Sequence, residues 1–269
     1  MQQNHDGLPQ KAGYPQASLN EIHGSWYDPA NPVVPMNGCL RSDLFDKLLH
    51  YEQHGDLTVS MGTSMCGMTA DRIFTSVAAR SRRGMAIGGV IIGLQCTQYD
   101  HMSCLRIFAK VDDVMQLVLN ELGLFVVSHV PRLLGDSARA CQLQPHVFQL
   151  PYTPAGTLLR SSITTTHTSS SYVAEEKCVL DLRPGAVVML TGGPFGGDQG
   201  EVLGCTPQGH YRIRFRHGHV MDAKEYVSRN VDKEKEVVKY VERLLGIWWL
   251  EAAAAGAVPC IPVVNPPVT

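Results

Sequence analysis

The chain has 269 residues, 44% of them apolar, which is enough for a substantial core in one large domain or two ordinary ones. Charged residues make up 18%, and 23 basic against 25 acidic side chains leave a net charge of −2. This composition excludes a chain that is disordered throughout, and it excludes one drawn to nucleic acid or anionic membranes by its overall charge.

The eight cysteines and the first residues of the chain indicate whether to expect a metal site, secretion or a membrane. No two cysteines form a Cys-x-x-Cys pair, so the sequence predicts no metal site. The first ten residues, MQQNHDGLPQ, lack the basic and apolar regions of a secretory leader, which favours reduced thiols inside a cell. The longest apolar run lies within residues 84–94, well short of the roughly 20 residues that span a bilayer, so we expect no membrane partner.

Residues 1–125 alternate helical and strand patterns. Apolar side chains recur at helical spacing in SDLFDKLLHYEQ, and three later strand patterns are separated or followed by helix patterns. The predicted strands are 57–61, 90–92 and 105–107, and the predicted helices after them are 70–82 and 111–124, with Gly123 as the end of the last helix. This repeated alternation predicts an α/β domain with a parallel sheet covered by helices.

The second half of the chain carries weaker and different patterns. Residues 126–176 are predicted to be a linker or irregular segment, although RSSITTTHTSSSY also fits a Thr-rich edge strand. Residues 177–228 alternate with period two in AVVMLT, EVLGC and HYRIRFR, which predicts a small all-β barrel. Residues 229–269 are expected to hold an amphipathic helix over 231–245 and an Ala- and Pro-rich tail that is only partly ordered.

Amide, carboxylate and imidazole groups crowd one short stretch near the start, at Gln3, Asn4, Asp6 and His23. Loops at the ends of parallel strands are where open α/β sheets bind ligands, so these groups are candidates to line a crevice. Their spacing alone favours another interpretation, in which Asn4 and Asp6 form local turns and His23 lies on the surface.

A second candidate is Gly62-Thr63-Ser64, which follows a predicted strand. Backbone N–H groups and short hydroxyls at such a position can hold phosphate or ribose. Composition alone favours an ordinary strand-exit turn. Gln95, after the next strand, has the same two interpretations, an edge contact or nucleotide recognition.

Three segments of the first 125 residues together resemble the sirtuin family. QQNHDGLPQKAGYPQASLNEIHGS is similar to a sirtuin stretch that reads Gln-Asn-x-Asp-Gly-Leu, Ala/Ser-Gly, then Glu-Leu-His-Gly. HGDLTVSMGTS is similar to the sirtuin strand that ends in Gly-Thr-Ser. GVIIGLQCTQYDHMSCLRIFAKVDDVMQLVLNELGL resembles the closing segment of the nuclear, class IV branch.

The resemblance implies an NAD-dependent protein lysine deacylase or mono-ADP-ribosyl transferase. Sirtuins bind NAD between a Rossmann-like domain and a small module, and the acyl oxygen of the substrate attacks the nicotinamide ribose. The cofactor would be NAD, the partner an acylated lysine of a protein, and the location nuclear or cytoplasmic. The acyl group would pass to ADP-ribose with release of nicotinamide.

The resemblance also implies residue roles. His23 would be the catalytic general base, since an imidazole pKa lies near operating pH. The remaining roles are Gln3 and Asn4 at the nicotinamide ribose, Asp6 at the nicotinamide pocket, Gly62, Thr63 and Ser64 at the adenosine side, and Gln95 and Val111 at the adenine end.

The sequence also departs from the sirtuin pattern. It contains no Gly-Ala-Gly-x-Ser pyrophosphate loop, and the 37 residues between Gly24 and Gly62 hold a lone Cys39 and no zinc module. His5 and Gly93 replace an apolar pocket residue and an Asn of the adenosine ribose site. We favour a truncated product of a longer sirtuin gene, whose sheet is expected to expose an edge and an apolar face. The alternative is a degenerate relative that binds NAD, ADP-ribose, a protein partner or RNA without catalysis.

The barrel region weakly resembles KOW-like domains, which bind nucleic acid, ribosomal partners or peptides. Arg212, Arg214 and Arg216 alternate with apolar residues, so they are predicted to share one strand face. Such a stripe is a candidate contact for an RNA or protein ligand. The favoured interpretation is a solvated face paired with acids such as Glu201 or Asp222.

Overall fold

A computed structural model describes residues 1–35, 37–124, 135–159, 176–216 and 240–267. The helices are α1 (Leu8–Lys11), α2 (Ser42–His54), α3 (Asp71–Ser81), α4 (Val111–Glu121), α5 (Asp136–Ala140) and α6 (Ile247–Ala254). The strands are β1 (Leu57–Met61), β2 (Gly88–Ile92), β3 (Leu105–Ile107), β4 (Gln142–Gln144), β5 (Val147–Leu150), β6 (Cys178–Asp181), β7 (Val187–Leu190), β8 (Gln199–Cys205), β9 (Tyr211–Arg216), β10 (Tyr240–Leu245) and β11 (Val263–Val264). Among these residues no helix has the length and apolar character needed to cross a membrane.

The chain forms two compact units, and each is interrupted in sequence. Unit 1 consists of Met1–Gln3, Asn20–His23 and Asn37–His129. Unit 2 consists of Asn4–Leu19, Gly24–Met36 and Val130–Thr269.

Unit 1 contains a three-stranded parallel sheet in the order β1-β2-β3, with α2, α3 and α4 before, between and after its strands. This confirms the predicted α/β alternation and each of its predicted strands and helices. Gly123, with φ of +66°, follows α4 as predicted, because a left-handed residue there closes the helix at little steric cost.

One face of this sheet packs on α3. Phe74 of α3, Ile91 of β2 and Met65 of the loop after β1 form a small buried core with Ala78. Gly89 lets the Phe74 ring approach, since a Cβ on Gly89 would lie 2.4 Å from Phe74 Cε2. The glycine therefore sets how closely α3 can pack on the sheet.

The outer strand of this sheet exposes apolar side chains. Leu57, Val59 and Met61 alternate along β1 and are 47%, 43% and 47% exposed. Among the described strands β1 pairs with β2 alone, which leaves it at an edge. The expected exposed edge and apolar face are both present.

Unit 2 is dominated by antiparallel sheets. One has five strands in the order β10-β9-β8-β7-β11, and the other has three in the order β4-β5-β6. Tyr211, Ile213 and Phe215 of β9 point into the core, as their alternation predicts. The predicted strands in AVVMLT, EVLGC and HYRIRFR are confirmed as β7, β8 and β9.

Three predictions for the second half need correction. The helix expected over 231–245 is wrong at Tyr240–Leu245, which forms β10 against β9, and its other residues through 239 lie outside the described part of the chain. The tail expected to be partly ordered instead contains most of α6 and buried β11. The linker expected over 126–176 contains α5, β4 and β5, whereas RSSITTTHTSSSY lies outside the described residues. Each of the three segments contains a strand that pairs with a distant one, β10 with β9, β11 with β7 and β5 with β6, and local sequence patterns do not reveal such pairing.

Candidate functional site

The carboxyl ends of β1, β2 and β3 lie along one edge of the unit 1 sheet, because the strands are parallel. Gly62, which follows β1, donates its N–H to the Ile92 carbonyl at 3.0 Å. Gly93, which follows β2, donates to the Ile107 carbonyl at 3.1 Å. Gly62 has φ of +62°, so the chain turns out of the sheet in a conformation that glycine adopts readily.

Gln3 meets Thr63 at this edge. The Thr63 hydroxyl donates to Gln3 Oε1 at 3.0 Å, and Gln3 Nε2 donates to Asp71 Oδ1 at 3.0 Å. The structure thus brings together two predicted cofactor-binding residues that are far apart in sequence. It also adds Asp71, which the sequence analysis did not select.

Asp71 is 6% exposed and lies at the start of α3. Its Oδ2 accepts the backbone N–H groups of Gly67 and Met68, at 2.9 and 3.0 Å. An acid in the first turn of a predicted helix indicates a local role at the helix start. Because the contact joins residues 68 positions apart in sequence, no local sequence pattern predicts it.

The loop between β1 and α3 is further fixed by Thr63 and Gln98. The Met65 N–H donates to Thr63 Oγ1 at 3.1 Å, and Gln98 Nε2 donates to the Met65 carbonyl at 2.7 Å. Met65 is fully buried although its φ is +51°, an uncommon value for a side chain of this size. Thr63 is therefore held in place by its own loop as well as by Gln3.

Arg106 of β3 organises the turn that carries Gln95. Its guanidinium donates to the carbonyls of Gly93, at 3.1 Å, and of Gln95, and Nε pairs with Asp100 at 2.9 Å. Hydrogen bonds from Thr97 and Arg106 lower the pKa of the Asp100 carboxyl, with Thr97 the larger cause. The carboxylate that orients Arg106 therefore stays ionised near neutral pH.

The other predicted adenine-end residues lie in the same unit. The Gln95 side chain is exposed on the turn after β2, and Val111 is the first residue of α4. Ser64 is exposed, and its hydroxyl accepts a hydrogen bond from the Cys66 thiol at 2.9 Å. Their predicted roles toward NAD remain predictions.

His23 belongs to unit 1 and is 8% exposed, so the interpretation that it lies on the surface is wrong. The glycine after it has a steric role, since a Cβ on Gly24 would lie 2.2 Å from the Pro32 carbonyl oxygen. The proposed role of His23 as a base remains a prediction.

Asn4, His5 and Asp6 belong to unit 2. Asp6 Oδ1 accepts the Leu8 N–H at 3.2 Å, which confirms the local-turn interpretation for Asp6. His5 Nδ1 donates to the Gly24 carbonyl at 2.9 Å, and Asn4 is exposed. A crevice shared by Asn4, Asp6 and His23 remains a prediction.

The arginine face of β9 is paired with acids. Arg214 bonds to Glu201 at 2.8 Å, and Arg212 bonds to Glu242 of β10 at 2.6 Å. This confirms the favoured interpretation of a solvated, paired face for these two arginines, with Glu201 as predicted. Asp222 lies outside the described residues.

The sheet edge of unit 1 is where the adenosine half of NAD would lie if the predicted residue roles hold. A Cβ built on Gly62 or on Gly93 meets no atom within 4 Å, so the space in front of both glycines is open. The polar side-chain groups predicted to contact a ligand there are the hydroxyls of Thr63 and Ser64 and the amide of Gln95. Hydroxyls and amides suit ribose and adenine, so the residues present fit this half of the cofactor.

The curated proteins similar to this chain include sirtuins. The NAD-dependent protein deacetylase sirtuin-7 of Mus musculus is 26% identical over 165 residues, which covers 45% of this chain and 40% of the relative. The Homo sapiens protein is 24% identical over 170 residues, covering 47% and 42%. This chain therefore spans about two fifths of the length of these relatives. A scan against protein-family models finds no match.

Solved structures with some likeness are also Sir2 proteins. Sir2Tm bound to a propionylated peptide is 20% identical, with a TM-score of 0.39 over 46% of this chain and 63% of that one. A Sir2–p53 peptide–NAD+ structure is 20% identical, with a TM-score of 0.30 over 36% and 40%. Over part of its length, the chain is therefore similar to sirtuin-7 proteins.

Proposed function

We propose that this chain carries the adenosine-binding side of an NAD-dependent protein lysine deacylase. The similarity to sirtuin-7 supports the reaction class. The observation that carries the proposal is the hydrogen bond between Thr63 and Gln3, because it joins two segments of the sirtuin-like pattern at the carboxyl edge of a parallel sheet. Open α/β sheets bind their ligands at that edge.

Each predicted residue of unit 1 has a task in this proposal. Gly62 leaves room for the adenosine, while the Thr63 and Ser64 hydroxyls bond to it. The residues assigned to other parts of NAD are Gln3 at the nicotinamide ribose, and Gln95 and Val111 at the adenine. When bound, NAD would supply an electrophilic ribose carbon for the acyl oxygen of the substrate, with nicotinamide as the leaving group.

His23 would take the proton from a ribose hydroxyl. A neutral imidazole accepts a proton readily near pH 7, which suits a general base. The substrate would be an acylated lysine of a nuclear or cytoplasmic protein.

The test is release of nicotinamide by the full chain in the presence of NAD and an acyl-lysine peptide. We expect His23→Ala to abolish release, and His101→Ala, which changes an exposed histidine of the same unit, to retain it. Equal release by His23→Ala and the unchanged chain would exclude His23 as the base. Binding of NAD without any release by the unchanged chain would instead indicate the alternative, a non-catalytic NAD or ADP-ribose module.

A further inference from the structure

We infer that Asp71 is a positioning residue that fixes the orientation of the Gln3 side-chain amide at the carboxyl edge of the unit 1 sheet. The inference rests on the proposed function, because it concerns how Gln3 is presented to the ligand. Asp71 itself has both carboxylate oxygens engaged by protein groups, so it acts through Gln3.

The two ends of the Gln3 side-chain amide differ in hydrogen bonding, since the oxygen accepts and the nitrogen donates. A glutamine side chain can rotate by half a turn and exchange its oxygen for its nitrogen. A carboxylate accepts hydrogen bonds and donates none, so Asp71 selects the Gln3 nitrogen. Thr63 then donates its hydroxyl hydrogen to the oxygen at the other end. A single orientation of Gln3 satisfies both neighbours.

Asp71 is itself held rigidly. Its second oxygen accepts the N–H groups of Gly67 and Met68, and the residue is almost fully buried at the first turn of α3. The carboxylate therefore links Gln3 to the loop that presents Thr63. A buried group with all its hydrogen bonds formed is a more exact support than a mobile surface side chain.

The orientation of the Gln3 amide decides which hydrogen-bonding group it offers to a ligand. Gln3 Nε2 carries two hydrogens, and one is used by Asp71. The second remains for an acceptor such as a ribose oxygen. If the amide were reversed, this position would present an oxygen instead, and a ligand acceptor would lose its donor.

Asp71→Asn, alone and combined with Gln3→Glu, tests the inference. In Asp71→Asn the new amide can donate toward Gln3, so the orientation of Gln3 is no longer fixed. In the pair Gln3→Glu with Asp71→Asn, the new carboxylate accepts from the new amide and from Thr63, so the packing is restored but no N–H remains for a ligand. Asp43→Asn is a matched control, because Asp43 lies in the first turn of α2 and its side chain is 61% exposed.

The measurement is the Kd for ADP-ribose by calorimetry on the full chain, at a temperature where circular dichroism shows every variant folded. Loss of one ligand hydrogen bond predicts a Kd about three- to tenfold higher for Asp71→Asn, and no change for Asp43→Asn. The pair should regain the melting temperature lost in Asp71→Asn while its Kd stays high. A purely structural role would instead lower the melting temperature and leave the Kd unchanged.

Three outcomes overturn the inference. If Asp71→Asn binds ADP-ribose as tightly as the unchanged chain, the inference is wrong and the proposed function is unaffected. If the Gln3→Glu, Asp71→Asn pair binds ADP-ribose with full affinity, the inference is also wrong. This comparison is sufficient by itself if Asp71→Asn alone fails to fold. An unchanged chain that shows no ADP-ribose binding removes both the inference and the proposed adenosine site.

Discussion

The ring of Phe74 lies against the backbone of Gly89, so closely that a Cβ on the glycine would come within 2.4 Å of Cε2. Gly89→Ala is therefore expected to push α3 away from β2 and to lower the free energy of unfolding by about 1–3 kcal/mol. Urea denaturation followed by circular dichroism measures this. Gly93→Ala is the control, since a Cβ there meets nothing within 4 Å, and an equal loss in both variants would contradict the packing described here.

The exposed face of β1 predicts self-association. Val59 is 43% exposed on an edge strand that carries no charged residue. Val59→Lys should reduce light scattering at a given protein concentration and change the free energy of unfolding by less than about 1 kcal/mol, because a charge on an edge strand disfavours pairing with another chain. Unchanged scattering would show that this face does not drive association.

His210 predicts a dependence of stability on pH. Burial, and to a smaller extent the nearby Lys11 charge, lower the pKa of His210 below its ordinary value of 6.5. The ring contacts Tyr27 and Trp248, and its Nδ1 accepts the Ile247 N–H at 3.2 Å. The unfolded chain therefore binds this proton more readily than the folded one.

The stability contributed by neutral His210 is consequently complete above pH 6.5 and is lost as the pH falls from there through the lowered pKa. Denaturant titrations between pH 8 and pH 5 should show this decline in the unchanged chain and a shallower one in His210→Gln. The exposed His101 provides the control, so His101→Gln should keep the full decline. Identical profiles for the chain and His210→Gln would rule out this linkage.

Adjacent residues of β9 should differ sharply in their effect on stability. Ile213 is fully buried, so Ile213→Ala is expected to cost about 2–5 kcal/mol. Arg214 forms an exposed pair with Glu201, so Arg214→Gln should cost less than about 1 kcal/mol. Denaturation in urea compares the two, and a similar loss for both would mean that the alternation along β9 does not separate core from solvent.

The sequence predicts unit 1 well because its elements follow from local periodicity. Each strand is short and apolar, and each helix has a recognisable apolar face, so neighbours in sequence suffice. The same reasoning fails at Tyr240–Leu245, where two adjacent charged residues between apolar ones also fit a helix. Pairing of Glu242 with Arg212, 30 positions away, helps to hold this segment as a strand.

The candidate site was predictable only in part, because some of its contacts join residues that are far apart in sequence. Gln3 and Thr63 were selected from their resemblance to a family pattern, and the structure joins them. Asp71 belongs to a predicted helix start, and its link to Gln3 depends on the fold of the whole unit. Asp6 shows the reverse case, since its local turn follows from residue spacing alone.

The most direct test of this account is a calorimetric titration of the full chain with ADP-ribose, alongside Thr63→Val and Thr75→Val. Thr63 bonds to Gln3 at the proposed site, whereas Thr75 bonds to a carbonyl of its own helix. We predict saturable binding by the unchanged chain and by Thr75→Val, and a Kd about three- to tenfold higher for Thr63→Val. Absence of binding by the unchanged chain, or equal affinity in Thr63→Val, would contradict an adenosine site at this edge of the sheet.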